Sequence, residues 1–205
     1  MVRAANVAAD EALMLRYQRG DSGAFAELVR RHQRALYNFV LRQTRSAPAA
    51  EDITQEAFLR VVQRAAEFKH EARFSTWLFT IARNLCVDQA RKAKLRRHPS
   101  LDGPAADGEG ARPLLEVVPD ARPEGQVDRA AEWTSMRRSI AAAVDSLPDE
   151  QREVFLLREV ANLPFKDIAE VTGTAENTVK SRMRYALERL RTALVEFEEY
   201  ARALR

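Results

Sequence analysis

Cysteine, glycine and histidine are scarce in this chain of 205 residues. The single cysteine, Cys86, excludes a disulfide within the chain and a zinc site built from cysteines. Only three histidines occur, which argues against a histidine-built metal site. Only 7 glycines occur, which argues against a large β-rich fold with many tight turns. We therefore expect a helical chain without a metal or other cofactor.

Long apolar runs are also missing, since no stretch approaches the roughly 18 apolar residues of a membrane-spanning helix. The first ten residues lack the basic start and apolar run of a signal peptide. These absences predict a soluble protein of the cytoplasm, with no membrane insertion.

Charge is distributed unevenly along the chain. Residues 1–98 carry 18 Lys and Arg against 10 Asp and Glu, a net charge of +8. Residues 99–131 carry 3 against 7, and residues 132–205 carry 12 against 13. A basic segment beside an acidic one is compatible with nucleic-acid binding, although a solvated surface would also explain it.

Proline and glycine cluster between Pro99 and Gly125, which hold five of the eight prolines and four of the seven glycines. This acidic stretch has no helical period, and its composition is typical of a flexible linker. We therefore divide the chain into a domain at 1–98, a linker at 99–131 and a second domain at 132–205.

Both domains show helical spacing of apolar residues and no strand-type alternation, so we predict an all-α fold. In the first domain, Asp21 is placed to cap one helix, Pro48 to begin the next, and Ser75 to cap a third. In the second domain, helices are predicted at 133–144, 149–160, 165–171 and about 175–201.

The last two of these helices form a helix-turn-helix pattern. Gly173 allows a left-handed turn after the first helix, and Thr174 is placed to cap the second. The predicted inward face of the second helix carries Val179, Met183, Leu187, Leu190 and Leu194. Its opposite face is polar, as DNA contact through a major groove requires. An ordinary helical hairpin with a charged outer face is the alternative.

The stretch LPDEQREVFLLREVANLPFKDIAEVTGTAENTVKSRMRYALERLR resembles region 4 of bacterial sigma factors. Asn162 and Asn177 stand where that group often has glycine, and Asn tolerates positive φ better than most residues. The resemblance implies recognition of the −35 promoter element by Asn177, Thr178, Lys180, Ser181, Arg182, Arg184 and Tyr185.

The stretch EDITQEAFLRVVQ places an acidic and polar edge with one apolar residue on a helix, which suits docking onto a protein partner. It resembles sigma region 2.2, which binds core RNA polymerase. The residues implied for that role are Asp52, Gln55, Glu56 and Leu59. Without the neighbouring match, a plain amphipathic helix would be the default interpretation.

The stretch FSTWLFTIARNLCVDQARKAKLRR is similar to sigma regions 2.3 and 2.4. Aromatic faces, amide edges and basic side chains are the groups that hold an unstacked DNA strand. The resemblance implies −10 element binding by Arg60, Arg64, Phe68, Arg83, Asn84, Arg91 and Lys92. Trp77 is assigned to the core rather than to DNA, and Cys86 is interpreted as a small buried hydrophobe.

The two matches occur in the order found in the extracytoplasmic-function (ECF) group of sigma factors. That resemblance implies a DNA-binding initiation factor without catalytic residues, switched on by an envelope or environmental stress signal. Its implied partners are core RNA polymerase, promoter DNA and an anti-sigma factor. The alternatives are a homodimeric helix-turn-helix regulator that acts without polymerase and a nuclease, for which the sequence offers no catalytic cluster.

Overall fold

The computed structural model describes residues 9–69, 72–96 and 127–195. These ranges contain helices and connecting turns and no strand, which confirms the predicted all-α class. A single 3-10 turn at Ala65–Glu67 precedes the fourth helix. The α-helices in chain order are α1 (Asp10–Gln18), α2 (Ser22–Thr44), α3 (Ala47–Gln63), α4 (Phe74–Arg96), α5 (Val127–Asp145), α6 (Asp149–Glu159), α7 (Phe165–Thr172) and α8 (Glu176–Ala193).

Local sequence signals determine where α2 and α3 begin. The Asp21 carboxylate accepts a hydrogen bond from the backbone N–H of Ala24 at 3.2 Å, so it caps α2 as predicted. The Ser46 hydroxyl caps α3 by accepting from Ala49, and Pro48 lies in the first turn of that helix, as predicted. Between the two helices, Arg45 has the left-handed φ of 55° that ends α2.

Two predicted caps are wrong. The fourth helix begins at Phe74, so Ser75 lies inside its first turn rather than before it. The cap comes instead from a residue far away in the sequence: the Glu11 carboxylate of α1 accepts a hydrogen bond from the Phe74 backbone N–H at 3.0 Å. Likewise Ala175, not Thr174, is the residue before α8, and the Thr174 hydroxyl instead lies 2.9 Å from that of Thr172.

Helix α5 begins at Val127, inside the segment assigned to the linker. The remainder of that segment, residues 99–126, lies outside the described residues, as does the predicted continuation of the last helix over residues 196–201. The turn before α7 contains Asn162 at a φ of 54°, which fits the prediction that asparagine replaces glycine at a positive φ there. Asn177 by contrast lies within α8.

The buried apolar residues of both halves form one connected core, which includes Leu28, Phe39 and Phe79 in the first half and Leu157 and Ile168 in the second. Trp77 packs partly buried against this core, and Cys86 is buried within it, as predicted. The two halves therefore touch: α4 packs against α7, and α2 packs against α6.

Candidate nucleic-acid interface

Helix α8 has one buried and one exposed face. Its buried residues are Val179, Met183, Ala186 and Leu190. Leu187, predicted to face inward, is 49% exposed, and Ala186 takes its place. A step of four residues turns about 40° past one full turn of an α-helix, so Val179, Met183 and Leu187 point progressively away from the core. A step of seven residues comes within about 20° of two full turns, so Ala186, seven residues after Val179, faces the core again.

The exposed face of α8 carries six of the seven residues predicted for the −35 element. They are Asn177, Thr178, Lys180, Ser181, Arg184 and Tyr185. The Arg184 guanidinium lies 4.9 Å from the centre of the Tyr185 ring, so the two side chains form a cation–π pair. The Lys180 ammonium is 2.7 Å from Glu176 one turn earlier. Arg182 is the exception, because it is partly buried and pairs with Glu150 of α6 at 2.6 Å.

The angle between α7 and α8 is held by a short turn. Gly173 ends α7 at a left-handed φ of 66°, as its position in the sequence predicts. On the other side of α7, the Arg158 guanidinium donates to the carbonyl of Leu163 at 3.0 Å and lies 5.2 Å from the centre of the Phe165 ring. These contacts fix the turns on both sides of α7, so the exposed face of α8 is presented on a rigid support.

The predicted polymerase-docking residues form an accessible edge of α3. Asp52 and Gln55 are exposed, and Leu59 is 54% exposed although its side chain is wholly apolar. Glu56 is partly exposed and accepts a hydrogen bond from Arg60 at 2.8 Å. An exposed leucine among carboxylates is a surface suited to a protein partner.

The residues predicted for the −10 element are spread over several environments. Asn84, Arg91 and Lys92 are exposed along α4. A cavity of about 230 Å³ between α3 and α4 includes Arg60 and Lys92 in its lining, together with Asp52, Glu56, Leu85 and Asp88. Arg64 is exposed, and its Glu67 partner raises the pKa of the guanidinium by hydrogen bonding and by its charge.

Phe68 lies in the core rather than at the surface. Its side chain is 5% exposed, and its ring lies 5.3 Å from that of Trp77 and 6.2 Å from that of Phe74, measured between centroids. The side-chain amide of Gln18 on α1 donates a hydrogen bond to the Phe68 carbonyl at 3.1 Å, which fixes the backbone at this residue. In this arrangement the Phe68 ring supports the start of α4 and offers no free face to a base.

Arg83 is bound to the second half of the chain. Its Nε donates to a carboxylate oxygen of Glu153 on α6 at 2.8 Å. The predictions did not identify Glu153, because a contact between residues 70 positions apart leaves no local pattern in the sequence. The same is true of Asp167 on α7, which accepts from the Thr76 hydroxyl of α4 at 2.7 Å.

Within the described parts of the chain, no group of three or more His, Cys, Asp or Glu side chains is arranged to hold a metal ion. In those same parts, no helix has the length and apolar character needed to cross a membrane.

Two family models match the chain: Sigma-70 region 2 over residues 28–96 and Sigma-70 region 4 over residues 137–190. The ECF RNA polymerase sigma factor SigW of Bacillus subtilis is 33% identical over 178 residues, covering 86% of this chain and 92% of the relative. The ECF RNA polymerase sigma-E factor of Escherichia coli is 31% identical over 179 residues, covering 87% and 91%.

Solved structures agree with these matches. The sigma factor RpoE of Bartonella quintana, solved with the anti-sigma factor NepR, is 25% identical with a TM-score of 0.64, and the match covers 83% of this chain and 96% of that one. CnrH, solved with the cytosolic domain of CnrY, is 22% identical with a TM-score of 0.62 and supports the fold. With both sigma-70 regions matched in order and relatives aligned over most of its length, the chain belongs to the ECF sigma factors of bacterial RNA polymerase.

Proposed function

We propose that this sigma factor directs RNA polymerase to its promoters through three separate surfaces. The exposed face of α8 recognises the −35 element as duplex DNA. The α3 edge, formed by Asp52, Gln55, Glu56 and Leu59, docks onto core polymerase. Helix α4 binds the −10 strand after the DNA opens. The chain itself carries out no covalent chemistry, and it acts in the cytoplasm, where polymerase and promoters are found.

The observation that carries this proposal is the presence of two accessible surfaces of different chemistry. The α8 face is rich in donors, with Lys180, Ser181 and Arg184 placed one turn apart or less, as base and phosphate contact require. The α3 edge offers carboxylates around the exposed Leu59, and such an edge repels a phosphate backbone. The chain's relatives are sigma factors of RNA polymerase, so the homodimeric alternative is not favoured.

The α4 surface supports the third role. Asn84 offers an amide edge, and Arg91 and Lys92 offer positive charge two turns further along the same helix. Amide and basic groups of this kind bind an exposed strand. Arg60 of α3 lines the same cavity as Lys92, and Arg64 directly after α3 adds a further positive charge. We assign Phe68 a supporting role, since its buried ring positions the residues before α4.

The partners are core RNA polymerase, promoter DNA and an anti-sigma factor. The similar sigma factor RpoE of Bartonella quintana has been solved in complex with the anti-sigma factor NepR. We propose that release from such an inhibitor, in response to an envelope or environmental stress signal, makes this chain available to polymerase.

The direct test is transcription from a library of genomic promoter fragments with purified core polymerase, with and without this chain. We expect transcripts that depend on the chain and start downstream of two shared elements. Start sites that do not change when the chain is added, or stable operator binding by a dimer that never joins polymerase, would overturn the proposal.

A further inference from the structure

Helix α1 binds the chain between α3 and α4 near both of its ends. We call residues 64–73, which join these two helices, the α3–α4 connection. The side-chain amide of Gln18 donates to two backbone carbonyls in it, at 2.7 Å and, for Phe68, at 3.1 Å. At the other end, the Glu11 carboxylate accepts from the backbone N–H of Phe74, the first residue of α4, at 3.0 Å. Three hydrogen bonds from one helix therefore fix the backbone of the connection.

We propose that Gln18 and Glu11 are positioning residues for the −10 strand, which act through the backbone of the α3–α4 connection rather than by touching DNA. The inference rests on the proposed binding of that strand by residues in and around α3 and α4. A segment that already follows its bound path loses less conformational entropy when its ligand binds, so the affinity is higher. Hydrogen bonds from a neighbouring helix are a means of holding such a path.

The connection carries three exposed cations: Arg64, Lys69 and Arg73. Each of them is adjacent in sequence to a residue whose backbone α1 binds. The side chains of Arg64 and Arg73 are 52% and 64% exposed although each pairs with a carboxylate, and such exposed pairs are weak enough to exchange for a phosphate. Cations of this kind follow the backbone of a single strand. The three bonds from α1 therefore set where the cations meet that strand.

Helix α1 is itself firmly attached, as a support must be. Glu11 and Gln18 are seven residues apart, which is about two turns, so both lie on one face of the helix. Met14 lies between them on that face and is completely buried. Asp10 pairs with Arg31 of α2 at 2.8 Å, which ties the start of α1 to the core helices. Gln18 is exposed, so its side chain contributes little to the core, and its two hydrogen bonds to the connection are its main contacts.

The test measures binding of the −10 strand by the complex of core polymerase and the full-length chain. Its probe is a fluorescein-labelled single-stranded oligonucleotide that carries the −10 element of a promoter found by the library transcription, and binding is followed by anisotropy. Gln18→Met keeps the length of the side chain and removes its donor. We expect it to weaken binding about three- to tenfold, the effect of one lost hydrogen bond. Glu11→Ala should do the same, and Glu11→Gln, which keeps an acceptor oxygen, should restore most of the affinity.

Two further readouts separate positioning from a general loss of stability. The dependence of the −10 affinity on salt should become shallower in Gln18→Met, by up to roughly 0.7 in the logarithmic slope for each cation that no longer meets a phosphate. A labelled duplex that carries only the −35 element should bind each variant as it binds the wild-type complex. Ser46→Ala is the matched control, because it removes the cap of α3 and leaves the bonds from α1 in place. It should bind both probes normally.

Wild-type affinity for the −10 oligonucleotide in Gln18→Met would overturn the inference, and so would an equal loss on both probes or the same loss in Ser46→Ala. Gln18 is exposed, so this variant decides the matter even where Glu11→Ala unfolds. All of these outcomes leave transcription by the wild-type chain intact. If the wild-type chain directs no promoter-specific transcription at all, the proposed function is wrong and this inference falls with it, so the two failures are distinguishable.

Discussion

The carboxylate of Glu11 lies 3.0 Å from the backbone nitrogen of Phe74 and accepts its hydrogen bond, so the first helix caps the fourth. A second contact acts nearby, because the amide of Gln18 donates to the carbonyls of Ala65 and Phe68 at 2.7 and 3.1 Å. Helix α1 lies before residue 28, where the first matched family region begins. Its side chains nevertheless form hydrogen bonds with the 3-10 turn before α4 and with the first residue of α4.

Replacement of Glu11 by alanine should therefore destabilise the chain. We expect a loss of about 1 kcal/mol in the free energy of unfolding, the usual size for a lost N-terminal cap. Urea denaturation followed by circular dichroism measures it. Glu11→Gln keeps an acceptor oxygen and should lose less. Equal losses for both variants would show that the hydrogen bond to Phe74 is not the source of the stability.

The Cys86 thiol should be inert in the folded chain. Burial raises its pKa to about 12, and the nearby Glu153 charge adds to that shift while Arg83 opposes it. At pH 8 the thiolate fraction is then about three orders of magnitude below that of an ordinary cysteine. A disulfide reagent such as DTNB should react slowly with the native chain and rapidly in urea. Rapid reaction in both would contradict the assignment and reopen a redox role for this residue.

The affinity for core polymerase should depend on the side chains of the α3 edge, and their replacement should leave the free energy of unfolding unchanged. Leu59→Ala removes an apolar side chain that the free chain leaves 54% exposed, so folding should be unaffected while affinity for core polymerase falls. Val87→Ala of α4 is the matched control, because that side chain is also exposed, at 38%. Fluorescence titration with core polymerase measures both affinities, and only Leu59→Ala should bind more weakly than the wild-type chain.

Charge on the same edge is tested by Glu56→Lys, which should also weaken polymerase binding. Glu56 pairs with Arg60, so this change also places two cations one turn apart. Glu56→Gln removes the charge without adding repulsion and should show a smaller loss of the same kind. Normal polymerase binding by both variants would remove Glu56 from the docking surface.

Arg184→Ala should weaken promoter use in a manner that depends on the −35 sequence. We expect a loss of roughly 1–3 kcal/mol on the preferred element, the size of one bidentate base contact. Transcription from promoters with single substitutions in the −35 element measures it. Arg191→Ala, an exposed arginine further along α8, is the control. A uniform loss across all −35 sequences would assign Arg184 to the phosphate backbone instead.

Asn84→Ala should impair promoter opening and discrimination within the −10 element. The residue is exposed on α4, so its removal should leave the fold unchanged. Permanganate footprinting of unpaired thymines in the polymerase complex measures opening. Premelted promoters, in which the −10 region is already mismatched, should recover much of the lost activity. A defect that persists on premelted DNA and is the same for every −10 sequence would contradict this role.

The parts of the fold that could be predicted depend on short-range chemistry. Asp21 and Pro48 act within three residues of the helix starts that they favour, and Gly173 acts at the turn where it stands. The polar face of α8 follows from its helical period alone. These features need no knowledge of distant residues, so sequence patterns are sufficient for them.

The features that escaped prediction depend on distant partners. Glu11 and Phe74 are 63 positions apart, and Arg42 and Asp145 are 103 positions apart. No periodicity connects such pairs, because tertiary packing alone brings them together. Phe68 escaped prediction for another reason: its aromatic ring suggested a contact with bases, but the turn before α4 folds it against Phe74 and Trp77, only six and nine positions further along the chain. The individual DNA and polymerase contacts stay predictions, because they join this chain to other molecules.

The contacts of α4 with α6 and α7, which join Arg83 to Glu153 and Thr76 to Asp167, connect two surfaces of one molecule. A connection of about 30 residues separates the end of α4 from the start of α5. Tethering of that kind gives each surface an effective concentration of the other on the order of millimolar. Contacts far too weak to hold separate molecules together are then sufficient to keep the two halves of one chain packed against each other. We therefore expect no dimer through these surfaces at micromolar concentrations.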